Sequence, residues 1–431
     1  MSKNLFFTLS CFLLTTSSIY AQLQYATPEE VDLDSNFINT KVDSIMTLGI
    51  RKQAFPGAQL LVAKEGHIIF HQAYGYHTFD SIQKVGLDDI YDLASVTKIT
   101  GPLPALMKLY DEGKLDLDAP FSRYWNSWKH RKDKKYITLR ELLAHQSGMQ
   151  PYIVFLNVVL KNEKLKSRFV RVEYSKRFSN QAFENIYIKK RFKNKVYRKI
   201  KRSKVNEDKT YKYSGLASLI YPQLIENITG ESYTAYLQKN FFQPLGCETL
   251  GYLPTLKGFN NAIVPTEYDS IFRKTLTKGW VHDENAALLG GVSGNAGLFG
   301  TAKDLAILMQ MYMQKGSYNG KRYIKETTLN EFTKIQYPEN NNRRGLGFDK
   351  PLIGNDTLSI KKAYPAPEVS PESFGHAGFT GTFVWADPEN EMVFIFLSNR
   401  VYPTRTHRNI YNLNTRPALQ QVFYLASKTQ D

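Results

Sequence analysis

The stretch GTFVWADPENEMVFIFLSN, Gly381 to Asn399, decides the fold class. Two runs rich in aromatic and β-branched residues flank a polar corner at Asp387 to Asn390, a pattern that predicts a β-hairpin. More than 300 residues earlier, GAQLLVAKEGHIIFHQAYGY (Gly57 to Tyr76) reads the same way, with its turn at Glu65-Gly66. Between the hairpins the apolar residues recur mostly at helical spacing. ITLRELLAHQSGM (Ile137 to Met149) opens with Thr138 and Glu141 spaced as a capping box, with Gly148 as its stop. GLASLIYPQLIENITG carries a second helical stripe that ends at Gly230, and Thr301 with Asp304 begins a third. Outside the hairpins, Asp34 to Lys52 predicts a helix with Phe37, Val42, Ile45 and Met46 inward, and a terminal helix starts near Thr415 with Pro417 in its first turn. The expected class is α+β. One antiparallel sheet is built from N- and C-terminal segments and flanked by helices, with a mainly helical lobe inserted at roughly 95–300.

The first 21 residues read as a secretory signal: a lysine in MSKN, the apolar run LFFTLSCFLL, and TTSSIYA ending at Ala21. A lipoprotein reading through Cys11 is the weaker alternative, because Thr8-Leu9-Ser10 lacks the usual leading leucine. The expected mature chain, 22–431, is a single domain exported to the periplasm or beyond. It retains one cysteine, Cys247, so its core and not a disulfide must hold it together. A 42% hydrophobic content with 26 Phe and 27 Tyr supplies that core and excludes a disordered chain.

A formal charge of +16 suggests a polyanion binder, but its distribution localises the effect. Lys161 to Lys212 alone holds 19 Lys or Arg against 5 Asp or Glu. The basicity therefore belongs to an insertion at about 150–212. Within it, KKRFKNKVYRKIKRSK (Lys189 to Lys204) predicts an amphipathic helix with Phe192, Val196, Tyr197 and Ile200 on its apolar side. Its charged face is either solvated or a weak contact for an anionic surface; nucleic acid is not an expected partner of an exported chain.

YDLASVTKIT (Tyr91 to Thr100) places Ser95 and Lys98 one helical turn apart. A serine hydroxyl needs a base to become nucleophilic, and a neutral lysine amine beside it is one. Free backbone N–H groups at a helix start can hold developing negative charge on a substrate oxygen. The motif alone is weak, since Ser95 can be a cap and Lys98 a solvated side chain. The five glycines before Thr301 lack the lysine of a phosphate loop and predict tight turns with close backbone approach.

Several blocks in one order are more specific. SVTK, KLYDEGKLDLDAPFSRYW, ITLRELLAHQSGM, YKYSGLASLIYPQLIENITGESYTAYLQKNFFQPLG, VHDENAALLGGVSGNAGLFGTAKDLA and FGHAGFTGTFVWADPENEMVFIFLSNR resemble the serine β-lactamase and penicillin-binding-protein superfamily, in its class C-like and esterase-like branch. The resemblance implies that Ser95 is the acylated nucleophile, that Lys98 activates it alone or with Tyr213, and that His376-Ala377-Gly378 stands for the third motif. The N–H groups of Ser95 and Phe379 would form the oxyanion hole, and Ala377, Gly378 and Gly215 would contact substrate. No cofactor or metal is implied.

On the residues alone, Tyr211 competes with Tyr213, and Tyr213 and His376 also fit structural roles. His145 reads as structural. His282-Asp283 lacks a third ligand at metal spacing, and Cys247 reads as a small core residue without a base beside it. Two departures bear on substrate. Gly215 stands where the family often has Asn, and His376 where it often has Lys; both favour ester or peptide substrates over β-lactams. The expected function is an exported serine hydrolase acting through an acyl-enzyme on cell-wall peptides, D-amino-acid amides or small esters and, weakly, on β-lactams. The alternative is a slowly acylating or non-catalytic sensor or envelope adaptor on the same scaffold.

Overall fold

The computed structural model describes residues 22–427; the expected signal segment lies outside them. Six strands form the main sheet, in the spatial order Gln24–Tyr25, His67–Gly75, Gly57–Lys64, Met392–Ser398, Phe383–Asp387, Phe374–Ala377. All neighbours are antiparallel except the short edge strand Gln24–Tyr25, which pairs parallel to His67–Gly75. The two predicted hairpins meet at the centre: Val393 is opposite Ala63, Ile395 opposite Leu61 and Leu397 opposite Gln59. Their turns fall as expected, with Glu65 and Gly66 at positive φ (52° and 80°) and the Asp387 carboxylate receiving the Asn390 amide at 2.9 Å.

The central strands are apolar throughout because both faces are covered. Leu61, Ala63, Val384, Val393, Ile395 and Leu397 point into a large core with helix Ala302–Met313 and the inserted lobe. Leu60, Val62, Phe383, Trp385, Phe394 and Phe396 point the other way, against helices Ser35–Arg51 and Thr415–Tyr424. The strand period of two thus divides one run of side chains between two cores. Helix Ala302–Met313 is buried on almost every side, so it has no solvent face to pattern.

The caps form as the sequence predicts. The Thr138–Glu141 capping box opens helix Leu139–Leu143, Thr301 Oγ1 accepts the Asp304 N–H at 3.3 Å, and Gly230 ends helix Tyr221–Thr229 in the left-handed region. Helix Leu139–Leu143 stops before Gly148, because His145 already turns left-handed at φ 56°. In helix Ser35–Arg51 the buried residues are Ile38, Val42, Met46 and Gly49, with Phe37 and Ile45 only partly covered. No helix among the described residues is long and apolar enough to cross a membrane.

The inserted lobe is less purely helical than expected. Helix Phe192–Arg202 forms, with Phe192, Val196 and Ile200 buried. Before it, the chain makes a two-stranded hairpin, Leu160–Lys161 with Lys164–Leu165, and a small sheet of Val170–Arg171, Ile186–Ile188 and Asn180–Phe183. An isolated antiparallel bridge between Met149 and Val205 closes the neck of this insertion.

Candidate active site

Ser95 lies in a 3-10 turn, Ala94–Val96, that runs directly into the helical turn Thr97–Thr100. The helix expected to continue from there breaks at Gly101, because Pro102 disfavours helical backbone in the residue before it; it restarts as Pro102–Asp111. The residue before the serine is strained. Ala94 sits at φ 45°, a conformation costing an L-residue about 1–2 kcal/mol. Asp92 holds it there: Oδ1 accepts the Ala94 N–H at 2.8 Å and Oδ2 accepts the His282 N–H at 2.6 Å.

Lys98 is buried, and its Nζ donates to Ser95 Oγ at 2.9 Å and to the Asn295 carbonyl at 3.0 Å. The glycine-rich loop supplies that carbonyl. Asn295 is fixed in turn by donating to Asp283 Oδ1 at 3.1 Å and accepting from Ser293 Oγ at 2.7 Å. The glycines therefore serve close backbone approach: a side chain at Gly294 would meet the Ser218 carbonyl at 2.3 Å.

Tyr213 is the tyrosine brought to this pair. Lys98 Nζ lies 5.4 Å from its ring centre, and Ser95 and Lys98 are the polar side chains that act on its phenol. Burial raises the phenol pKa, but the charges of Lys98 and Arg344, helped by the polar groups of Ser95 and Lys98, override it and hold the phenol below its ordinary value. His145 packs on the other side, with ring centres 4.5 Å apart, and its Nδ1 accepts the Ser214 N–H at 3.3 Å. It supports the tyrosine segment, as a structural histidine would.

His376 lies on the edge strand Phe374–Ala377, 6.1 Å from Tyr213 ring centre to ring centre. Burial, then the charges of Arg344 and Lys98, push its pKa down to about 3, so it is neutral. Arg344 Nη2 donates to its Nε2 at 3.4 Å, which leaves Nδ1 to donate to the Ala377 carbonyl at 2.8 Å. The sequence reading missed Arg344. It is 2% exposed, sits 5.2 Å from the Tyr213 ring centre and pairs with Asp349 at 2.9 Å. Burial raises the Asp349 pKa, but Arg344 and Arg343 outweigh it and hold the carboxyl below its usual range. Backbone hydrogen bonds between Asp349 and Gly375 lock the pair to the His376 strand.

The loop after His376 is tied to the serine segment. Thr380 Oγ1 donates to the Asp92 carbonyl at 2.8 Å and Thr382 Oγ1 to the Leu93 carbonyl at 3.1 Å. Gly378 permits this: a Cβ there would meet Thr382 Oγ1 at 2.0 Å and the Leu93 carbonyl at 2.7 Å. The Phe379 ring is 45% exposed and lies beside His282, with ring centres 5.8 Å apart, while Arg400 Nε holds its carbonyl at 2.8 Å. Gly215 borders the site, donates to the Pro151 carbonyl at 3.1 Å, and has open space where a side chain would stand.

The other polar candidates are engaged structurally. His282 pairs with Glu267, which Arg405 also holds at 2.9 Å. Asp283 caps helix Glu284–Leu288 by accepting the Ala286 N–H at 2.8 Å. Cys247 is buried against the Asp304 carbonyl, and burial drives its thiol pKa up. Among the described residues no group of three or more His, Cys, Asp or Glu is placed to hold a metal ion.

Comparisons with known proteins give the family and the fold. A protein of Salmonella gallinarum, named provisionally as a D-alanyl-D-alanine carboxypeptidase, is 30% identical over 427 residues and 91% of each chain. A penicillin-binding protein homologue from Caulobacter crescentus shares the fold with a TM-score of 0.63 at 16% identity, covering 90% of this chain and 98% of its own. EstCE1, a hydrolase with promiscuous acyltransferase activity, matches at TM-score 0.63 and 16% identity over 89% and 98%. The Beta-lactamase family model matches residues 38–415, and the chain belongs to that family.

Proposed function

We propose that this protein is an exported serine hydrolase that forms an acyl-enzyme on Ser95 with peptide, amide or ester substrates. The observation that carries the reading is the 2.9 Å contact from Lys98 Nζ to Ser95 Oγ, beside a phenol whose ionised form the same lysine favours. In the proposed cycle the Ser95 proton passes to the Lys98–Tyr213 pair as Oγ attacks the substrate carbonyl. The tetrahedral oxyanion rests on the N–H groups of Ser95 and Phe379, each donor of this kind being worth about 3–4 kcal/mol. The C–N or C–O bond then breaks, and the leaving group takes the proton back from Tyr213. Water, deprotonated by the same pair, attacks the ester carbonyl and restores Ser95. The cycle uses no metal or cofactor.

His376 is neutral and its one N–H already donates to the Ala377 carbonyl, so it offers a substrate carboxylate no ion pair. This supports amide and ester turnover over efficient β-lactam hydrolysis. The relative's carboxypeptidase name makes short peptides ending in D-alanine the first substrates to try. Gly215, lacking the amide side chain common in the family, also favours a second reading in which acylation is slow and the protein senses its ligand.

Turnover decides between them. The mature protein and Ser95→Ala are assayed with a nitrophenyl ester, a chromogenic cephalosporin and a D-alanyl-D-alanine peptide. Turnover abolished in Ser95→Ala supports the hydrolase. Acylation of Ser95 without turnover supports the sensor, and absence of both overturns the acyl-enzyme reading. Export is tested separately, by sequencing the N-terminus of the protein recovered outside the cytoplasm.

A further inference from the structure

Alongside Gln150, whose carbonyl is bonded to Ser214, the surface carries a groove of about 510 Å³, lined by Gln150, Ile153, Lys195, Arg198, Lys199 and Arg202 among others. Four of these side chains are cations of helix Phe192–Arg202. Lys195 with Lys199, and Arg198 with Arg202, are like charges one helical turn apart, an arrangement that weakens a helix unless something offsets it. No carboxylate of the described residues pairs with any of the four. Burial and the charges of Arg168, Lys199 and Arg198 together disfavour the charged form of Lys195. The helix is held by its adjoining apolar face, where Phe192, Val196 and Ile200 are buried. Lys195 also lies over the Phe169 ring, 4.9 Å from its centre.

The groove's other lining residues, Gln150 and Ile153, belong to a segment bonded to the chain just after Tyr213. The Gln150 carbonyl accepts from Ser214 Oγ at 2.6 Å, and the Pro151 carbonyl accepts the Gly215 N–H at 3.1 Å. Ser214 and Gly215 directly follow Tyr213. The Ile153 carbonyl accepts from Asn285 Nδ2 at 3.0 Å.

We propose that this groove is a substrate subsite for the carboxylates of an acidic peptide, which it draws to Ser95 and selects over neutral peptides. The inference rests on the hydrolase reading for catalysis, but not for binding. A recess lying against the Tyr213 segment suits a peptide chain running out of the catalytic site better than it suits a flat membrane surface. The charges act at a distance from the reacting bond, so they change substrate capture and leave bond breaking alone.

Two measurements test it. First, binding of hexaglutamate and hexaglutamine peptides to Ser95→Ala is measured by calorimetry, without turnover. The acidic peptide should bind at least about tenfold more tightly, with the difference removed in K195Q/K199Q and in R198Q/R202Q. Equal binding of the two peptides, or unchanged preference in both double variants, overturns the proposal. Anionic phosphatidylglycerol vesicles that bind while hexaglutamate does not also overturn it, in favour of a membrane contact. Second, kcat/KM is compared for peptides ending in D-alanine with a glutamate or a glutamine upstream. The acidic substrate should have the lower KM, the double variants should lose that advantage, and turnover of a small nitrophenyl ester should stay within about twofold. Ester turnover without an acidic-peptide preference sinks the subsite alone. Loss of all Ser95-dependent turnover sinks the hydrolase reading, and the calorimetry still decides the groove.

Discussion

The Arg344 guanidinium lies 5.2 Å from the centre of the Tyr213 ring, so two fixed cations, Lys98 and Arg344, face one phenol. Lys98 also touches Ser95, whereas Arg344 reaches the reaction only through the field it places on Tyr213 and through His376. Removing Arg344 should therefore raise the Tyr213 pKa. In Arg344→Met the ascending limb of the kcat/KM profile moves to higher pH, and activity at neutral pH falls by about 10–100-fold. Melting temperature drops as well, because Asp349 keeps only Arg343. Arg344→Lys retains a charge and should keep the limb nearer its original position. An unshifted limb in Arg344→Met would show that the arginine is structural only.

Gly215 offers a gain-of-function test. Its backbone is not left-handed, and a Cβ there meets no atom within 4 Å. Gly215→Asn should fold with a stability change within about 0.5 kcal/mol and place an amide beside Tyr213. Amide and cephalosporin turnover should rise relative to ester turnover. A folded variant with unchanged ratios would remove Gly215 as a determinant of substrate class.

Gly378→Ala tests the loop that carries the Phe379 N–H. The added methyl conflicts with Thr382 Oγ1 and the Leu93 carbonyl, so the loop must move away from the serine segment. Loss of one oxyanion donor predicts a fall in kcat of about 100–1000-fold. Thermal denaturation should show a cost of about 1–3 kcal/mol, the range for overpacking. Retention of full kcat would exclude Phe379 from the oxyanion hole.

His376 makes stability depend on pH in a definite direction. Unfolded, its imidazole takes up a proton near pH 6.5 (about the model-peptide value); folded, it does so only at about 3. Between those values the unfolded chain binds more protons, so stability declines as pH falls. His145 acts in the same direction, since burial lowers its pKa too. Asp349 does not contribute in the upper part of this window: its pKa is depressed, so its stabilisation is lost only below the ordinary carboxylate range. Melting temperature should fall between pH 7 and 5, and less steeply in His376→Asn. Parallel slopes for the two proteins would place the pH sensitivity elsewhere.

The central sheet was legible because its strands are long, apolar and bounded by clear turn residues, as in Asp387 to Asn390. The caps at Thr138 and Thr301 were legible for a similar reason: each is a local side chain closing on its own backbone three residues later. The strands of the insertion were not, since pairs such as Val170–Arg171 are too short to show a period. Ser95, Lys98, Tyr213 and His376 were named from ordered blocks, and the structure places them together. Arg344 escaped notice because NNNRRGLGFDK has the composition of an exposed loop. Its burial depends on Asp349 and on the edge strand at Gly375, contacts that no local pattern encodes. The break at Gly101 was hidden by the helical spacing of Ser95 and Lys98, which continues through a 3-10 turn.

The Met149–Val205 bridge brings the entry and exit of the insertion to adjacent positions. Bridged strands lie only about 5 Å apart, so one short turn could join Met149 to Val205 in place of everything between. The basic segment is thus topologically a cassette: a lineage could lengthen, recharge or discard it without rethreading the sheet that carries Ser95 and His376. Selection on the surface that this segment presents and selection on how the chain folds can then proceed in separate parts of the same chain.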